Sequence, residues 1–234
     1  QVLDEQGVSE VDGIIMDLGV SSPQFDDGSR GFSYRYDARL DMRMDQSAKL
    51  DAKTIVNTYS KQDLAYIFKV YGEENFAAKV ATAIVREREK TPFETTLQLS
   101  EFIKRVIGGK PTPKHKATRC FQALRIAVNG ELDELKKALE SSIDVLAGDG
   151  RLCVISFHSL EDRIVKTFIK DKSQGQKIPN GLPITFEEAE KMRLATAKVE
   201  PVGGAIKATP EEIAANVRSR SATLRICKRL KRLP

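Results

Sequence analysis

The sequence predicts an α/β protein whose sheet contains parallel strands and which carries an inserted all-helical region. Two short apolar runs predict strands, one at Ile14-Ile15-Met16, closed by Gly19 and Pro23, and one over residues 151–157. Such runs are too short for helices and are typical of parallel strands buried on both faces. Residues 50–109 show helical periodicity with no strand between the helices, which breaks a β-α-β alternation. We therefore expect a helical subdomain inserted after the first strand.

Apolar spacing and end signals predict the remaining elements. A helical pattern covers residues 117–146, and we expect a break at Gly130 because glycine inside a helix costs about 1 kcal/mol relative to alanine. After the second strand, Ser159 and Asp162 are spaced as a helix cap. Within the inserted region, helices are predicted over residues 60–72, 74–89 and 95–109. Towards the end of the chain, short helices are predicted at 186–194 and after Thr209, and a last strand over 221–227.

Polar side chains follow both predicted strands at the point where each strand ends. Asp17, Ser21 and Ser22 come after the first strand, and His158 comes after the second. Ligands of open α/β sheets bind outside the carboxyl ends of parallel strands, so these side chains are expected to share one cleft. The alternatives are an ordinary solvated turn at Asp17 and a hydrogen-bonded structural histidine at His158.

Composition indicates a folded chain with a polyanionic partner. The 234 residues are 41% apolar, which is enough for a sizeable core, and 38 basic against 33 acidic residues give a net charge of +5. Seven basic and no acidic residues lie between Arg218 and Arg232. That concentration favours nucleic acid as a partner, and a solvated basic tail is the alternative.

Cysteine and histidine usage argues against a metal centre and a disulfide framework. The three cysteines lie far apart in sequence and only two histidines accompany them, so no zinc-ligand pattern results and no metal is expected. Free thiols suit a reducing cytoplasm. No apolar stretch approaches the roughly 18 residues of a membrane span. We expect a soluble, cytoplasmic protein without a membrane partner.

The irregular segment after residue 26 combines guanidinium groups with aromatic rings. Phosphate-binding cations beside rings on which bases stack are what single-stranded RNA recognition requires. Surface loops of this composition also occur without a ligand. The arginines are Arg30, Arg35, Arg39 and Arg43, and the aromatic residues are Phe32, Tyr34 and Tyr36.

Several ordered blocks resemble one known family. The chain is similar to the bacterial MraW/RsmH family, which methylates N4 of a cytidine in the 16S RNA of the small ribosomal subunit. The blocks are Asp-Leu-Gly-Val-Ser-Ser-Pro-Gln at residues 17–24, Arg-Gly-Phe-Ser at 30–33, Leu-Asp-Met-Arg-Met-Asp at 40–45, and the longer stretches 118–129, 154–166 and 218–225.

The resemblance implies a class I, Rossmann-like methyltransferase that uses S-adenosyl-L-methionine (AdoMet). Its sheet domain would comprise residues 1–26 and 117–234, and residues 27–116 would form the inserted loop and helical substrate-recognition subdomain. In the family, a glycine-rich AdoMet loop and three strands precede a segment like residues 2–5. We therefore expect the chain, which begins at Gln1, to lack these N-terminal strands.

The resemblance also implies roles for individual residues. Asp17 and Gln24 would contact AdoMet, and the hydroxyls of Ser21 and Ser22 are candidates for the side of the pocket that receives the cytidine amine. His158 is a candidate for positioning the base or accepting a proton. The further candidates for rRNA phosphate contacts are Lys116, Arg119, Arg125, Arg218 and Arg220, with internal salt bridges as the alternative for the arginines.

Two other functions compete with methyl transfer. The chain would serve as a non-catalytic RNA-binding fragment if its cofactor site were incomplete. A nicotinamide-dependent oxidoreductase on a similar sheet is disfavoured because no G-x-G-x-x-G motif occurs. Exposed strands of an incomplete sheet would also invite pairing with another chain, so a homodimer is possible.

Overall fold

The computed structural model of the chain describes residues 2–110, 112–175 and 184–231. Helices and strands both contribute, which confirms the predicted mixed α/β class. No helix in these ranges is both long and apolar enough to cross a membrane.

The chain divides into two compact units. The strand unit consists of Gln1–Gly19 together with Leu132–Pro234, and the helical unit is Val20–Glu131. The helical unit is therefore longer than the insertion of 27–116 that the sequence predicts. The difference at its far end arises because the helix Thr118–Asn129 places Phe121 and other apolar side chains in the core of the helical unit.

The elements of the described residues are as follows. The helices are α1 (Val2–Glu5), α2 (Ser22–Asp26), α3 (Ala52–Thr58), α4 (Lys61–Val70), α5 (Ala77–Arg88), α6 (Thr96–Ile107), α7 (Thr118–Asn129), α8 (Glu131–Val145), α9 (Ser159–Gln174), α10 (Phe186–Thr196) and α11 (Pro210–Ala215). The strands are β1 (Val11–Asp17), β2 (Leu146–Ser156), β3 (Val199–Pro201), β4 (Ile206–Lys207) and β5 (Thr223–Arg229). Short 3-10 turns occur at Gly28–Arg30 and Val217–Ser221.

The sheet of the strand unit runs in the order β1-β2-β5-β3, and β4 also pairs with β5. β1 and β2 are parallel, with Asp17 opposite Ile155, which confirms the predicted parallel pair. β5 is antiparallel to β2, with Thr223 opposite Ser156. The ends of β1 and β2 and the start of β5 therefore lie along one side of the sheet, here named the carboxyl edge.

β1 is less buried than its apolar sequence predicts. Ile14 and Met16 are partly buried and pack against a core that includes Leu152 and Val154 of β2. Ile15 points the other way and is 76% exposed. β1 is the terminal strand in the described sheet order, and no described element covers that face, so burial on both faces is not observed.

The helical predictions are largely confirmed. α4, α5 and α6 occupy the three predicted ranges, and the expected break falls at Gly130, which ends α7 in the left-handed conformation. The short helices α10 and α11 and the last strand β5 also lie where the sequence places them, within a few residues. α3 was not predicted, because it is a short helix whose start is marked mainly by the Asp51 side chain, which accepts from Thr54 N. Residues 176–183 of the segment before α10 lie outside the described residues.

The helical unit has its own core, to which every helix from α3 to α7 contributes. Its most deeply buried side chains have no exposed surface, and they recur at three- and four-residue spacing along their helices. They include Ile55, Leu64, Phe68, Ile84, Leu99, Ile103 and Leu124.

Gly31 ends the first 3-10 turn under a tight steric constraint. Its φ is +71°, a value that favours glycine, and a Cβ atom there would lie 2.3 Å from the backbone oxygen of Arg39. Gly130 has a similar φ of +61° but no atom within 4 Å of such a Cβ. A comparison of the two glycines therefore separates the energetic cost of backbone strain from that of a steric clash.

We predict that Gly31→Ala lowers the free energy of unfolding of the helical unit by about 3 kcal/mol or more, because the clash adds to the strain. Gly130→Ala should cost only about 1 kcal/mol, since an L-residue there pays for the left-handed conformation alone. Urea unfolding followed by circular dichroism measures both. Equal losses would contradict the steric account.

Candidate functional site

Asp17 ends β1 at the carboxyl edge with its carboxylate exposed to solvent. The backbone continues the pairing for one residue, since Leu18 N donates to Ile155 O at 3.0 Å. It then turns at Gly19, whose φ is +90°. Among the residues with described structure, none donates a hydrogen bond to the Asp17 side chain. The sheet therefore presents a carboxylate that is available to accept hydrogen bonds from a ligand.

His158 and Glu161 build the turn from β2 into α9. The Glu161 side chain is buried, and its Oε2 accepts from Phe157 N at 2.8 Å and from His158 N at 3.3 Å. In return, Glu161 N donates to His158 Nδ1 at 3.4 Å. This reciprocal capping box closes the first turn of α9. The predicted cap of Ser159 with Asp162 is wrong, because the helix begins one residue earlier than that spacing assumes.

The hydrogen bonds of His158 determine which of its ring nitrogens can donate and which can accept. Its Nδ1 lone pair is used by Glu161 N, so the neutral ring carries its proton on Nε2. Nε2 lies 3.1 Å from Glu161 Oε1. Despite this distance, Nε2 is buried and makes no well-aligned hydrogen bond within the described structure. The expectation of a structural histidine is thus supported at Nδ1, whereas Nε2–H remains a buried donor.

Asp162 pairs with Arg225 and ties α9 to β5. Arg225 Nε donates to Oδ1 at 2.7 Å, and Nη2 donates to Oδ2 at 3.0 Å. The hydrogen bond from Arg225 holds the pKa of Asp162 below its usual value. Two parallel hydrogen bonds give this ion pair a fixed geometry. The pair therefore holds helix and strand together beside the carboxyl edge.

Basic side chains collect at the same edge of the strand unit. Arg218 and Arg220 are exposed on the 3-10 turn that precedes β5, and Asn216 Oδ1 caps that turn by accepting from Arg218 N at 3.1 Å. Lys207 of β4 lies opposite Thr223, and its Nζ contacts the Thr223 hydroxyl. The sequence did not predict Lys207, because a two-residue strand carries no recognisable period. Arg232 of the basic tail lies outside the described residues.

In the helical unit, Ser21 and Gln24 are engaged with each other at the start of α2. Gln24 Oε1 accepts from both the backbone N and the hydroxyl of Ser21, each at 3.1 Å. The amide nitrogen of Gln24 donates no hydrogen bond to any described residue, and the exposed Ser22 hydroxyl likewise makes none. Gln24 Nε2 and the Ser22 hydroxyl are therefore polar groups open to a ligand.

Several of the predicted RNA-binding arginines have internal partners. Arg30 Nη2 donates to the backbone oxygens of Arg43 and Met44 at 2.8 and 3.0 Å. Three others form ion pairs that fix loops and helix ends, and for Arg125 an internal salt bridge is the alternative that the sequence leaves open. These pairs are Arg39 with Asp51 at 2.7 Å, Arg43 with Asp41 at 2.7 Å and Arg125 with Glu131 at 2.8 Å.

Most aromatic rings of the loop also serve packing. Phe32 is buried, and Tyr34 stacks on His115 with ring centroids 4.6 Å apart. Only Tyr36, which is 52% exposed, presents its ring to solvent. Arg35, Arg39 and Arg119 are exposed as well, and their contacts with RNA stay a prediction. Lys116 is half-buried.

Comparison with known proteins identifies the family. The model of the MraW methylase family matches residues 1–230. The chain belongs to the MraW methylase family. A relative from Shewanella baltica OS155, named ribosomal RNA small subunit methyltransferase H, is 50% identical over 223 residues, which cover 95% of this chain and 70% of the relative. A relative of the same name from Shewanella loihica PV-4 is 50% identical over 231 residues, 98% of this chain and 72% of the relative.

Family membership agrees with the observed architecture. The mixed sheet with the parallel β1–β2 pair is that of a Rossmann-like methyltransferase. In this MraW methylase chain, the carboxyl edge brings Asp17 together with the His158–Glu161 turn. The sequence indicates the residue types at that edge, and it also indicates Glu161 as a helix-capping group, which the hydrogen bonds to its carboxylate confirm.

We predict that Asp162→Asn lowers the free energy of unfolding by about 1 kcal/mol at neutral pH. Because the folded-state pKa is depressed, the stabilisation is present above the unfolded value of about 3.9 and is lost as pH falls through the folded value. The difference from the parent chain should therefore shrink below about pH 4. Urea unfolding across this range measures it.

Asp171→Asn is the matched control, because Asp171 is exposed on the same helix. It should leave stability nearly unchanged at every pH. A loss for Asp162→Asn that does not depend on pH would refute an ionic role for the Arg225 pair.

Proposed function

We propose that the chain catalyses AdoMet-dependent methylation of the N4 amine of a cytidine in the 16S rRNA of the small ribosomal subunit. The observation that carries this proposal is the exposed Asp17 carboxylate at the end of β1. No described residue donates a hydrogen bond to it, and the chain belongs to the MraW methylase family. The name of its relatives, ribosomal RNA small subunit methyltransferase H, supports small-subunit rRNA as the substrate.

The residues at the carboxyl edge fit the proposed cofactor. AdoMet, when bound, supplies an electrophilic methyl group on a sulfonium centre. The Asp17 carboxylate can accept hydrogen bonds from the hydroxyl or amino groups of such a ligand, since its oxygens have no competing donor in the described structure. For Gln24, the contact remains the one that the resemblance implies, and its open Nε2–H is compatible with it.

Methylating the exocyclic amine needs groups that accept its protons. The amine lone pair is delocalised into the cytosine ring, so acceptors that draw on its N–H bonds help the nitrogen to rehybridise. The hydroxyl of Ser21 donates to Gln24 Oε1, which leaves its oxygen lone pairs as acceptors, and the Ser22 hydroxyl has both capacities. We therefore assign Ser21 and Ser22 to the side of the pocket that receives the cytidine amine.

His158 is better suited to positioning than to proton acceptance. A proton acceptor needs a free lone pair, and the one at Nδ1 is taken by Glu161 N. We assign His158 to fixing the turn from β2 into α9, where its buried Nε2 lies 3.1 Å from Glu161 Oε1. This assignment replaces the proton-accepting role that the sequence left open.

The substrate's phosphates have cationic partners at the same edge. Arg218, Arg220 and Lys207 are exposed beside the start of β5, where they can neutralise backbone phosphates of rRNA. These phosphate contacts supply affinity and orientation, whereas the cytidine is selected by the residues that surround the base. Loss of any one should weaken RNA binding and reduce its salt dependence.

The thiols suit the cytoplasmic setting that we propose. Cys120, Cys153 and Cys227 are free, and burial raises the pKa of Cys227 to about 11. Burial likewise raises the pKa of Cys120, so the Cys120 and Cys227 thiols are protonated and unreactive at neutral pH, and we assign these two side chains to packing. A homodimer stays a prediction.

Methyl transfer separates this function from the non-catalytic alternative. The chain is incubated with small ribosomal subunits that lack the modification and with AdoMet labelled in its methyl group. Incorporation of label into 16S rRNA supports the enzyme, whereas RNA binding without incorporation would favour an RNA-binding fragment.

We predict that Asp17→Asn weakens AdoMet binding by tenfold or more, about 1.4 kcal/mol, because the amide loses the charge and one acceptor oxygen. Calorimetric titration of the full chain measures the dissociation constant. Asp12→Asn is the matched control, since Asp12 is an exposed carboxylate on the same strand but away from the carboxyl edge. Equal effects of the two substitutions would argue against a cofactor contact at Asp17.

A further inference from the structure

The connection between α4 and α5 presents aromatic side chains to solvent. Tyr66 is 57% exposed and Phe76 is 48% exposed. The same unit buries Phe68 and Phe93 almost completely, so it has a core in which large rings are accommodated. Tyr66 in α4 and Phe76 directly before α5 are therefore solvent-facing rings on either side of the turn.

The turn that carries these rings is rigidly hydrogen-bonded. Glu74 N donates to Phe68 O at 3.0 Å, and Glu74 Oε1 accepts from Phe76 N at 2.9 Å. Tyr71 packs edge-on against Tyr66, with ring centroids 6.0 Å apart. Gln122 of α7 donates to Tyr71 O at 3.2 Å. The backbone before the Phe76 ring and the Tyr66 ring itself are thus held in place before a partner binds, which limits the conformational entropy that binding costs.

Cations lie beside both rings. Lys69 follows Tyr66 by three residues and is exposed on the same face of α4. Lys79 Nζ lies 5.9 Å from the centroid of the Phe76 ring. Arg119 Nη1 donates to Glu73 O at 3.1 Å, which fixes an exposed guanidinium at the turn.

The acidic groups of the turn offset this charge only in part. Glu74 is 4% exposed, and its carboxylate accepts from the backbone. The Glu73 side chain is exposed. Asp63 is also exposed, three residues before Tyr66 on the same face of α4, so three exposed cations face two exposed carboxylates in this part of the described chain.

We propose that the turn patch, formed by Tyr66, Lys69, Phe76, Lys79 and Arg119, is a docking surface for single-stranded RNA. Unpaired bases stack on the two rings, and the cations contact the adjoining phosphates. The inference rests on the proposed function, because it adds a second contact surface for the same rRNA substrate.

The composition of the patch favours RNA over a protein partner. Lysine is depleted from the cores of protein interfaces, whereas a lysine accompanies each ring here. Alternating cations and aromatic faces are the arrangement that binds single strands with little sequence preference. The patch would therefore add affinity and orientation, and cytidine selection would remain at the carboxyl edge.

Fluorescence anisotropy of the full chain with a labelled single-stranded RNA of about 16 nucleotides tests the proposal. Tyr66→Ala and Phe76→Ala should each weaken binding about tenfold, and Tyr66→Phe should retain affinity because the stacking face is kept. Lys79→Gln should reduce the slope of log affinity against log salt by about 0.7. Phe186→Ala is the control, because Phe186 is 86% exposed and lies in the strand unit, outside the patch.

RNA affinity of Tyr66→Ala and Phe76→Ala equal to that of the parent chain would overturn the proposal. Altered self-association in sedimentation without altered RNA affinity would also overturn it, in favour of a protein surface. Labelled methyl transfer to small subunits by the parent chain is measured in parallel. Its absence would refute the proposed function alone, whereas transfer with unaffected variants would refute the docking surface alone.

Discussion

The parallel pairing of β1 with β2 is the interaction on which the candidate site depends. It places Asp17 opposite Ile155 and extends through the bond from Leu18 N to Ile155 O. Because side chains alternate along a strand, a shift of one residue would turn Asp17 to the other face of the sheet. The same register fixes where β2 ends, and so where His158 begins the next helix.

In the helical unit, ion pairs of arginine with aspartate or glutamate hold loops and helix ends in place. This structural use accounts for several of its arginines. Asp41 is nearly buried, and the hydrogen bond from Arg43 lowers its pKa. Arg125 engages both carboxylate oxygens of Glu131 in the same manner. These guanidinium groups are used to fold the chain, which leaves RNA contacts to the exposed cations.

The sequence predicts the elements better than it predicts the partners of individual side chains. Periodicity and end signals identify the strands, α4 to α6 and the break at Gly130, because these features depend on neighbouring residues. The exposure of Ile15 depends on which elements cover β1, and the pairing of Arg39 with Asp51 depends on loop closure. Neither is encoded in local spacing. The N-cap of α9 is His158 and not the predicted Ser159, because a shift of one residue in where the helix begins decides between the two.

The identity of the methylated nucleoside tests the central claim most directly. Small ribosomal subunits lacking the modification are treated with the chain and AdoMet, and the 16S rRNA is digested to nucleosides for mass spectrometry against synthetic standards. The account predicts N4-methylcytidine and no other new methylated nucleoside. A methyl group on a ring carbon of cytosine, on a ribose hydroxyl or on another base would contradict it, as would no transfer by a chain that binds AdoMet and RNA.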